Sequence, residues 1–403
     1  MEKTDVTTDM VIFGGGIAGL WLLHKLKALG FSAILLETAT LGGGQTSKSQ
    51  GIIHGGMKYA LQGVLTSEAQ AMSDLPARWR ACFQGSGEVD LSAVPILSAH
   101  HYLWSPSRIA AKLGGFLAGA TLMSKVKSLA KKDYPDAFQH PKFKGDVYAL
   151  DEIVIDVPAL IKVLTEKYAD AIFKIDTMQE DDLHLDAQGQ LSAVTIHNVN
   201  QCTTLHAKHF IFTAGAGNEF IIQKIRQPSI AMQRRPLHMV MVKLPFDYAV
   251  YAHCLGFGAR PRLTITTHHL PDGSAVWYLG GLLAEEGVRR DQAAQIKAAK
   301  KELTSLFSWL DFSEAEFASF FIDRAEPLQK GGLKPDTSFV SKFNNMIIAW
   351  PTKLALAPKL ADEIIKQLQA SPSAQSDLSA LQHWAKPALA TPIWEEAFCK
   401  NDS

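Results

Sequence analysis

The hydrophobic pattern near the start of the chain predicts a strand, a helix and a second strand in close succession. A short apolar run at residues 10–13 has the character of a buried parallel strand, and a glycine-rich turn follows it directly. Leucines then recur at helical spacing from Leu20 to Leu29, and Gly30 stands where a helix commonly ends. A second apolar strand follows at residues 32–36. This order predicts a parallel βαβ unit.

The glycine-rich turn carries a dinucleotide-binding fingerprint in its required context. Gly14 permits a tight turn, Gly16 lets the backbone approach a pyrophosphate, and Gly19 lets the helix pack closely on the strand. The free N–H groups of the helix N-terminus favour the negative charge of that pyrophosphate. Glu37, at the end of the second strand, can accept hydrogen bonds from the adenosine ribose. The fingerprint alone does not distinguish a nicotinamide cofactor from a flavin.

Three further segments favour a flavin. Residues 38–51, TATLGGGQTSKSQG, can offer N–H groups and hydroxyls to a diphosphate and a ribityl chain. A strand at residues 208–212 ends in the small residues TAGAGN, which permit close passage along a cofactor. Another strand, at residues 345–349, leads through WPTK into leucines at helical spacing, so Lys353 stands at a second helix N-terminus. The lysine and the helix N-terminus both suit the negative charge that a reduced flavin carries at its N1/C2 edge.

These segments resemble those of a flavoprotein superfamily that includes D-amino-acid oxidase and glycerol-3-phosphate dehydrogenase. The matching stretches, VIFGGGIAGL, SKSQGIIHGGMKYAL, FIFTAGAGN and AWPTKLALAP, span nearly the whole chain in the family's order. IIHGGMKY is similar to the IHGGLRY of glycerol-3-phosphate dehydrogenases and to the related segment of 2-hydroxyglutarate oxidases, with Lys58 in place of the arginine. PTKL occupies the place of GGKL. The chain lacks the large helical C-terminal extension of the glycerol-3-phosphate enzymes, and its size is nearer to hydroxy-acid and amino-acid oxidases.

The resemblance implies FAD as the cofactor and an α/β fold, in which a Rossmann-like FAD-binding domain is interleaved with an α+β substrate domain built on a mostly antiparallel sheet. We assign residues 1–75, 148–225 and 323–370 to the FAD-binding domain, 76–147 and 226–322 to the substrate domain, and 371–403 to a C-terminal tail. Its first part, residues 371–379, is predicted to be a loose linker to a last short segment. The predicted cofactor-binding residues are Gly14, Gly16, Ile17, Ala18, Gly19, Glu37, Thr38, Gly44, Gln45, Thr46, Ser47, Ser49, Gln50, Gly51, Thr213, Ala214, Gly215, Thr352, Lys353 and Leu354.

His54 and Lys58 are candidate catalytic residues in the IIHGGMKY segment. Oxidation of an alcohol by a flavin needs a base for the hydroxyl proton, whereas a neutral amine needs none. Histidine titrates near neutral pH, which makes His54 the candidate base, with a structural histidine in the cofactor shell as the alternative. The resemblance makes Lys58 a contact for the substrate anion, with an ordinary surface lysine as the alternative.

Residues 259–281 predict two strands around a Pro-Asp-Gly turn, with one face of the first strand lining a cavity. Relatives carry here an arginine that holds a carboxylate or phosphate, so Arg262 is predicted to bind the substrate, with Arg260 as second choice. Arg324 is a further candidate, and Lys353 completes a basic group that fits an anionic substrate. His268 and His269 could join this basic group, but histidines near a turn are more often solvated. Glu285 and Glu286 are expected at the cavity rim or at the surface.

The net charge and the cysteine content argue against several classes of protein. Forty basic and 40 acidic residues give no net charge, which argues against a nucleic-acid partner. Four scattered cysteines without a CxxC pair argue against disulfides and a metal site, and we expect a cytoplasmic protein without an export signal. However, residues 92–132 hold six basic and no acidic residues, so 107–132 is predicted either to contact a membrane surface or to form a packed helix pair.

The sequence therefore predicts an FAD-dependent dehydrogenase or oxidase. Its substrate is expected to be a small anionic hydroxy compound, a 2-hydroxy acid or a polyol phosphate such as glycerol 3-phosphate. Hydride passes to flavin N5, and quinone or oxygen reoxidises the flavin. The alternatives are an amine or amino-acid oxidase on the same fold and a non-catalytic flavoprotein partner. Covalent attachment of the flavin has no clear marker in the sequence.

Overall fold

The computed structural model describes most of the chain. The described residues are 4–55, 74–106, 126–199, 201–225, 230–256, 260–329, 335, 337–368, 371–373 and 376–399. Lys58 and residues 107–125 lie outside these ranges, so the predictions that fall on them are not addressed by the structure.

Strands are numbered along the chain. They are β1 (Thr4–Phe13), β2 (Ala33–Glu37), β3 (Ile52–Ile53), β4 (Ile96–Ser98), β5 (His101–Ser105), β6 (Val126–Ser128), β7 (Asp146–Leu150), β8 (Ile153–Ile155), β9 (Ile172–Lys174), β10 (Leu183–Leu185), β11 (Leu191–Asn198), β12 (Gln201–Phe212), β13 (Met232–Lys243), β14 (Ala252–Cys254), β15 (Leu263–His269), β16 (Ala275–Gly280), β17 (Glu316–Pro327), β18 (Phe339–Phe343) and β19 (Met346–Trp350).

The α-helices are α1 (Ile17–Ala28), α2 (Leu75–Phe83), α3 (Val157–Glu166), α4 (Asn218–Ile225), α5 (Leu282–Glu286), α6 (Gln292–Leu306), α7 (Ala357–Gln367) and α8 (Ile393–Phe398). Short 3₁₀ turns occupy Lys131–Asp133, Asp136–Phe138, Ala169–Ala171, Glu180–Asp182, Gly215–Gly217, Gly287–Arg289, Leu354–Leu356 and Ser379–Leu381. Aspartates cap two of the helices: the Asp156 carboxylate accepts the Ala159 N–H at the start of α3, and Asp291 accepts the Ala294 N–H at the start of α6.

The first sheet has the predicted parallel βαβ unit at its centre. Its strand order is β10-β11-β12-β1-β2-β9, and β19 pairs with the end of β12. The pairs of β1 with β12 and β2, of β2 with β9, and of β12 with β19 are parallel, while β10, β11 and β18 pair antiparallel. Phe13 pairs with Phe212, so two parallel strands end side by side. Gly14 and Thr213, the next residues of each strand, therefore meet at the carboxyl edge of the sheet.

The second sheet has the order β17-β13-β16-β15-β14-β5-β7-β6. The pair β14–β5 is parallel, and its other pairs are antiparallel. The predicted hairpin is the pair β15–β16. A small third sheet joins β3, β8 and β4. The predicted α/β fold class, with a mostly antiparallel second sheet, is confirmed.

Apolar cores cover both faces of each large sheet. Along β1, Met10 and Ile12 face a core that contains α1, while Val11 and Phe13 face the opposite core. The same alternation on β13 sends Val240 to one core and Met241 to another. This two-residue period is the one expected of a strand buried on both faces.

The segment from α2 to residue 94 packs in the core of the first sheet, although the prediction placed it in the substrate domain. Leu75, Trp79 and Val94 are buried in the same cluster as α1, and the Trp79 indole N–H donates to the Ala355 carbonyl at 3.0 Å. β7 also runs across the predicted boundary at residue 147. The domain limits themselves stay a prediction.

Beyond the predicted linker at residues 371–379, the C-terminal tail packs on both large sheets. Leu381 and Trp384 are buried in a core of the first sheet, and Trp394 of α8 is buried against the second sheet. Apolar side chains spaced along a polar stretch anchor it, because burying each large side chain stabilises the folded chain by about 1.5–3 kcal/mol.

The described end of the basic stretch forms a strand, β6, rather than part of the helix pair that we considered. Within the described ranges, the structure contains no helix with the length and apolar character needed to cross a bilayer.

Candidate functional site

A cavity of about 820 Å³ opens at the carboxyl edge of the first sheet. Its wall also takes residues from β17, an edge strand of the second sheet, and from its neighbour β13. The lining residues are Phe13, Gly14, Gly16, Ile17, Ala18, Leu36, Glu37, Thr38, Ala39, Thr40, Gly43, Gly44, Gln45, Thr46, Lys48, Ser49, Gln50, Ile175, Thr177, Met178, Phe212, Thr213, Ala214, Gly215, Ala216, Gly217, Phe220, Ile221, Leu237, Met239, Phe321, Ile322, Asp323, Arg324, Ala325, Trp350, Pro351, Thr352, Lys353 and Leu354.

The fingerprint glycines are required by close backbone approaches. Gly14 has φ of +106°, and a Cβ there would lie 2.7 Å from the Cα of Ala214. A Cβ on Gly19 would lie 2.0 Å from the Gly14 carbonyl oxygen, so α1 packs against the turn only without a side chain there. Thr46 reaches the first turn of α1, where its hydroxyl accepts the Ile17 N–H at 3.1 Å.

Glu37 ends β2 beside this turn. Its carboxylate accepts the N–H groups of Gly15 at 2.6 Å and Ala39 at 2.7 Å. These bonds fix the carboxylate in the cavity wall, and its remaining lone pairs can accept from ligand hydroxyls.

The second predicted helix N-terminus, at residues 350–354, closes another side of the cavity. The indole N–H of Trp350 donates to the Gly215 carbonyl at 2.9 Å, which ties this junction to the TAGAGN turn. Thr352 adopts φ of +60°, a left-handed conformation that costs a β-branched residue about 1–2 kcal/mol. Lys353 follows it and lines the cavity.

The structure brings most of the predicted cofactor residues together in this wall. The 17 that line the cavity are Gly14, Gly16, Ile17, Ala18, Glu37, Thr38, Gly44, Gln45, Thr46, Ser49, Gln50, Thr213, Ala214, Gly215, Thr352, Lys353 and Leu354. Three lie just behind it: Gly19 packs under the turn, Ser47 is buried, and Gly51 has φ of +68° against the Ile155 carbonyl.

The donor set fits an FAD. Gly16 caps α1 without a side chain, and a Cβ on Gly44 would meet no atom within 4 Å. The wall therefore leaves room beside the backbone at the N-terminus of α1, which suits a pyrophosphate. Glu37 supplies a ribose acceptor, and Lys353 supplies positive charge for the flavin end.

His54, the predicted base, lies in a polar cluster rather than among the lining residues. Its Nδ1 is 3.2 Å from Oε2 of Glu152, and the Gly55 N–H donates to Oε1 at 3.0 Å. Two more histidines pack behind it: the His253 ring lies 6.0 Å from that of His54, nearly parallel, and the His101 ring lies 4.2 Å from that of His253. We name these four residues, His54, His101, Glu152 and His253, the histidine–glutamate cluster.

The Gly55 N–H and the neighbouring histidines favour the ionised form of the Glu152 carboxyl group. Burial by itself would raise the pKa of Glu152, but the charge and hydrogen bond of His54, the charge of His101 and the Gly55 N–H together hold that pKa below its ordinary value. An ionised, fully buried carboxylate can only accept hydrogen bonds.

Arg262 does not lie where the prediction put it. Its guanidinium pairs with Glu302 of α6, with Nη2 at 2.8 Å from Oε2, and the residue is not part of the cavity wall. β15 lies inside the sheet with apolar or hydroxyl residues buried on both faces, so the alternation in RLTITT does not mark a cavity-lining face. Arg260 pairs with Glu285 at 2.6 Å and is mostly exposed.

The other polar residues of that region divide between core and surface. His268 is fully buried, contrary to the expected solvent exposure, whereas His269 is exposed and lies 3.4 Å from Asp247. Glu286 lies at the surface, 3.6 Å from Arg290.

Sequence reasoning missed several residues of the site. Lys48 lines the cavity but was not among the predicted residues, and Leu237, Met239 and Phe321 carry no motif. Arg324, considered as a further candidate, does line the cavity. Glu152 and His253 lie about 100 and 200 positions after His54, so no local spacing could have linked them.

Comparisons with known proteins agree with this geometry. Residues 9–319 match the family model described as FAD dependent oxidoreductase (DAO). A probable FAD-dependent oxidoreductase of Pseudomonas aeruginosa is 45% identical over 397 residues, which is 98% of this chain and 99% of the relative. The crystal structure of that protein superposes with a TM-score of 0.84 over 99% of this chain and 100% of the other, at 41% identity.

More distant relatives differ in what their names say they oxidise. An alpha-glycerophosphate oxidase of Enterococcus casseliflavus is 26% identical over 258 residues, covering 60% of this chain and 41% of the relative. Glycine oxidase of Geobacillus kaustophilus shares the fold, with a TM-score of 0.64 and 16% identity over 93% of this chain and 97% of the other. The family match and the Pseudomonas relative decide the class: the chain belongs to the DAO family of FAD-dependent oxidoreductases.

Proposed function

We propose that this enzyme oxidises a small anionic hydroxy compound, either a 2-hydroxy acid or a polyol phosphate. The observation that carries the proposal is the cationic wall: Lys48, Arg324 and Lys353 all line the cavity. The cofactor pyrophosphate has its own site at the N-terminus of α1, so Lys48 and Arg324 are suited to a second anion, together with Lys353, which is also assigned to the flavin end. A guanidinium and ammonium groups favour carboxylate or phosphate over a neutral substrate.

The acidic residues of the wall do not cancel this preference. Glu37 is already held by two backbone N–H groups at the fingerprint turn. Asp323 lies 3.8 Å from Arg234, an exposed arginine of the neighbouring strand. The relation to an alpha-glycerophosphate oxidase supports the phosphate version of the proposal.

His54 is the base in the proposed reaction. The substrate C–H bond breaks and its electron pair leaves with the hydrogen, while the hydroxyl proton moves to Nε2 of His54 and a C=O bond forms. Bound FAD supplies the hydride acceptor, N5 of its ring. Quinone or oxygen then takes the two electrons, and a membrane contact through the basic residues 107–132 would serve the quinone version.

An anaerobic substrate panel tests the proposal. Glycerol 3-phosphate, D- and L-2-hydroxyglutarate and lactate are mixed with the holoenzyme, beside glycine, sarcosine and proline, and the flavin absorbance band is followed. We expect at least one hydroxy compound to bleach the band and the amines to leave it unchanged. Bleaching by amines alone would contradict the proposal.

Two variants test whether Arg324 binds the substrate anion. Arg324→Gln should raise the substrate concentration for half-maximal bleaching at least about tenfold, which corresponds to about 1.4 kcal/mol. Arg260→Gln is the matched control, because Arg260 is exposed and pairs with Glu285 outside the cavity wall. An equal effect of both substitutions would remove Arg324 from the substrate site.

A further inference from the structure

We propose that Glu152 is a positioning residue that fixes the tautomer of His54, with the proton on Nδ1 and the lone pair on Nε2. The use of that lone pair as a base rests on the proposed function above. The tautomer itself is a property of the protein and can be measured without any substrate.

The carboxylate of Glu152 is held from several directions. Glu152 sits in the turn between β7 and β8, where its carbonyl accepts the His101 N–H at 2.6 Å. Oε1 accepts the Gly55 N–H at 3.0 Å, and Oε2 lies 3.2 Å from His54 Nδ1. Its side chain has no exposed surface, whereas that of His54 keeps 19%. One partner of the pair is therefore fixed in the interior while the other retains access to solvent.

With Glu152 ionised and His54 neutral, the identity of the donors decides which His54 nitrogen carries the proton. A backbone N–H can only donate, so Oε1 must accept from Gly55. An ionised carboxylate offers only acceptors, so the contact at Oε2 is a hydrogen bond only when His54 Nδ1 carries the hydrogen. In a neutral imidazole the other nitrogen, Nε2, then has the free lone pair, which is the state that a general base requires.

A metal ion is the rival occupant of this cluster. Ligand atoms of His54, Glu152 and His253 lie within 4.8 Å of one another. However, both Glu152 oxygens already have hydrogen-bond contacts, Oε1 with the Gly55 N–H and Oε2 with His54 Nδ1. These contacts favour a hydrogen bond between His54 and Glu152 over a metal ion bound by the cluster.

Replacement of Glu152 by glutamine exchanges donor and acceptor in the hydrogen bond to His54, while the shape of the side chain stays nearly the same. The fixed Gly55 N–H requires an acceptor, so the amide oxygen must face Gly55 and the amide NH₂ must face His54. His54 Nδ1 then becomes the acceptor, and the proton moves to Nε2. Glu152→Gln therefore removes the lone pair from Nε2 without adding or removing a heavy atom. Glu152→Asp keeps the acceptor character and should retain the wild-type tautomer.

The test reads protonation at each nitrogen by ¹⁵N–¹H NMR on the histidine-labelled holoenzyme, with His54→Gln assigning the signals. We expect a protonated Nδ1 for His54 in the wild type and a protonated Nε2 in Glu152→Gln. Asp151→Asn is the matched control, because Asp151 is the preceding residue, is half-exposed and pairs instead with Arg80 at 2.6 Å. A wild-type His54 protonated on Nε2, or stoichiometric metal in the purified holoenzyme, would overturn the proposal.

Kinetics separate this inference from the proposed function. With a hydroxy compound that bleaches the flavin, Glu152→Gln should slow anaerobic reduction about 100-fold at unchanged half-saturation, and Glu152→Asp should recover part of the rate. Slowing by less than threefold, with the tautomer reversed, would show that Nε2 is not the base. In that case the positioning of His54 stands and the proposed reaction fails.

Discussion

Gly16 is the residue at which the cofactor site can be tested without disturbing the fold. It caps α1 with φ of −80° and ψ of −177°, an extended conformation open to any residue. A Cβ there would meet only the Thr46 hydroxyl, at 3.2 Å. Because the methyl group would stand between the backbone and the pyrophosphate, Gly16→Ala should raise the Kd for FAD at least about tenfold, or about 1.4 kcal/mol. Quenching of flavin fluorescence on titration of the apoprotein measures it.

Gly19→Ala provides the contrast. Its Cβ would lie 2.0 Å from a backbone oxygen, so the cost should appear in the apoprotein as about 1–3 kcal/mol of unfolding free energy. Gly16→Ala should leave the urea unfolding midpoint of the apoprotein nearly unchanged. If both variants lose stability equally, the distinction between a packing glycine and a binding glycine fails.

Single residues could be predicted from the sequence where their role is local. Gly14, Gly16 and Gly19 follow a strand at fixed offsets, so their place at the sheet edge could be derived from spacing alone. Glu152 could not, because tertiary contacts bring it to His54 from a turn between two other strands. The prediction for Arg262 was wrong for a related reason. The alternation of residues along a strand is the same whether its second face lines a cavity or packs in a core.

At the scale of elements, the C-terminal segment, residues 376–399, joins the nucleotide side of the cavity. Its backbone pairs with Leu41: the Leu41 N–H donates to the Ala388 carbonyl at 2.8 Å, and the Ala390 N–H donates to the Leu41 carbonyl at 3.0 Å. Residues 38–40, immediately before Leu41, line the cavity. The segment therefore holds a cofactor-binding loop in place, which its Ser- and Pro-rich composition did not indicate.

Ala390→Pro removes one of these two bonds by removing the N–H donor. The loss of a backbone hydrogen bond of about 1 kcal/mol should weaken FAD binding about fivefold, measured by the same fluorescence titration. Leu389→Ala is the control, because the Leu389 side chain is 43% exposed and its replacement leaves both backbone bonds intact. An unchanged Kd in a folded Ala390→Pro protein would show that the loop holds its shape without the segment.

At the scale of the whole molecule, the same segment connects the two large sheets. Just before this segment along the chain, Ser373 donates from both its N–H and its hydroxyl to Asp9 of β1. Burial would raise the pKa of Asp9, but bonds from Lys208, Ser373 and Ser32 lower it to about 2. At the other end, Trp394 of α8 stacks on His268 of β15, with ring centres 3.9 Å apart. The C-terminal part of the chain therefore contacts both large sheets. It contacts the first through the ionised Asp9 and the second through the neutral His268.

His268 makes this closure sensitive to acid. Burial lowers the pKa of His268 to about 3, with the charge of His269 adding to the effect, so the imidazole is neutral in the folded protein. Between pH 6.5 and 3 the unfolded chain binds a proton here that the folded chain does not, so unfolding becomes easier as the pH falls. This group should remove about 1.4 kcal/mol of unfolding free energy for each pH unit below about 6.5.

His268→Phe keeps a ring against Trp394 but cannot be protonated. Its free energy of unfolding, measured from urea unfolding curves, should therefore fall less than that of the wild type between pH 6.5 and 5. Parallel losses in the two proteins would show that acid acts elsewhere.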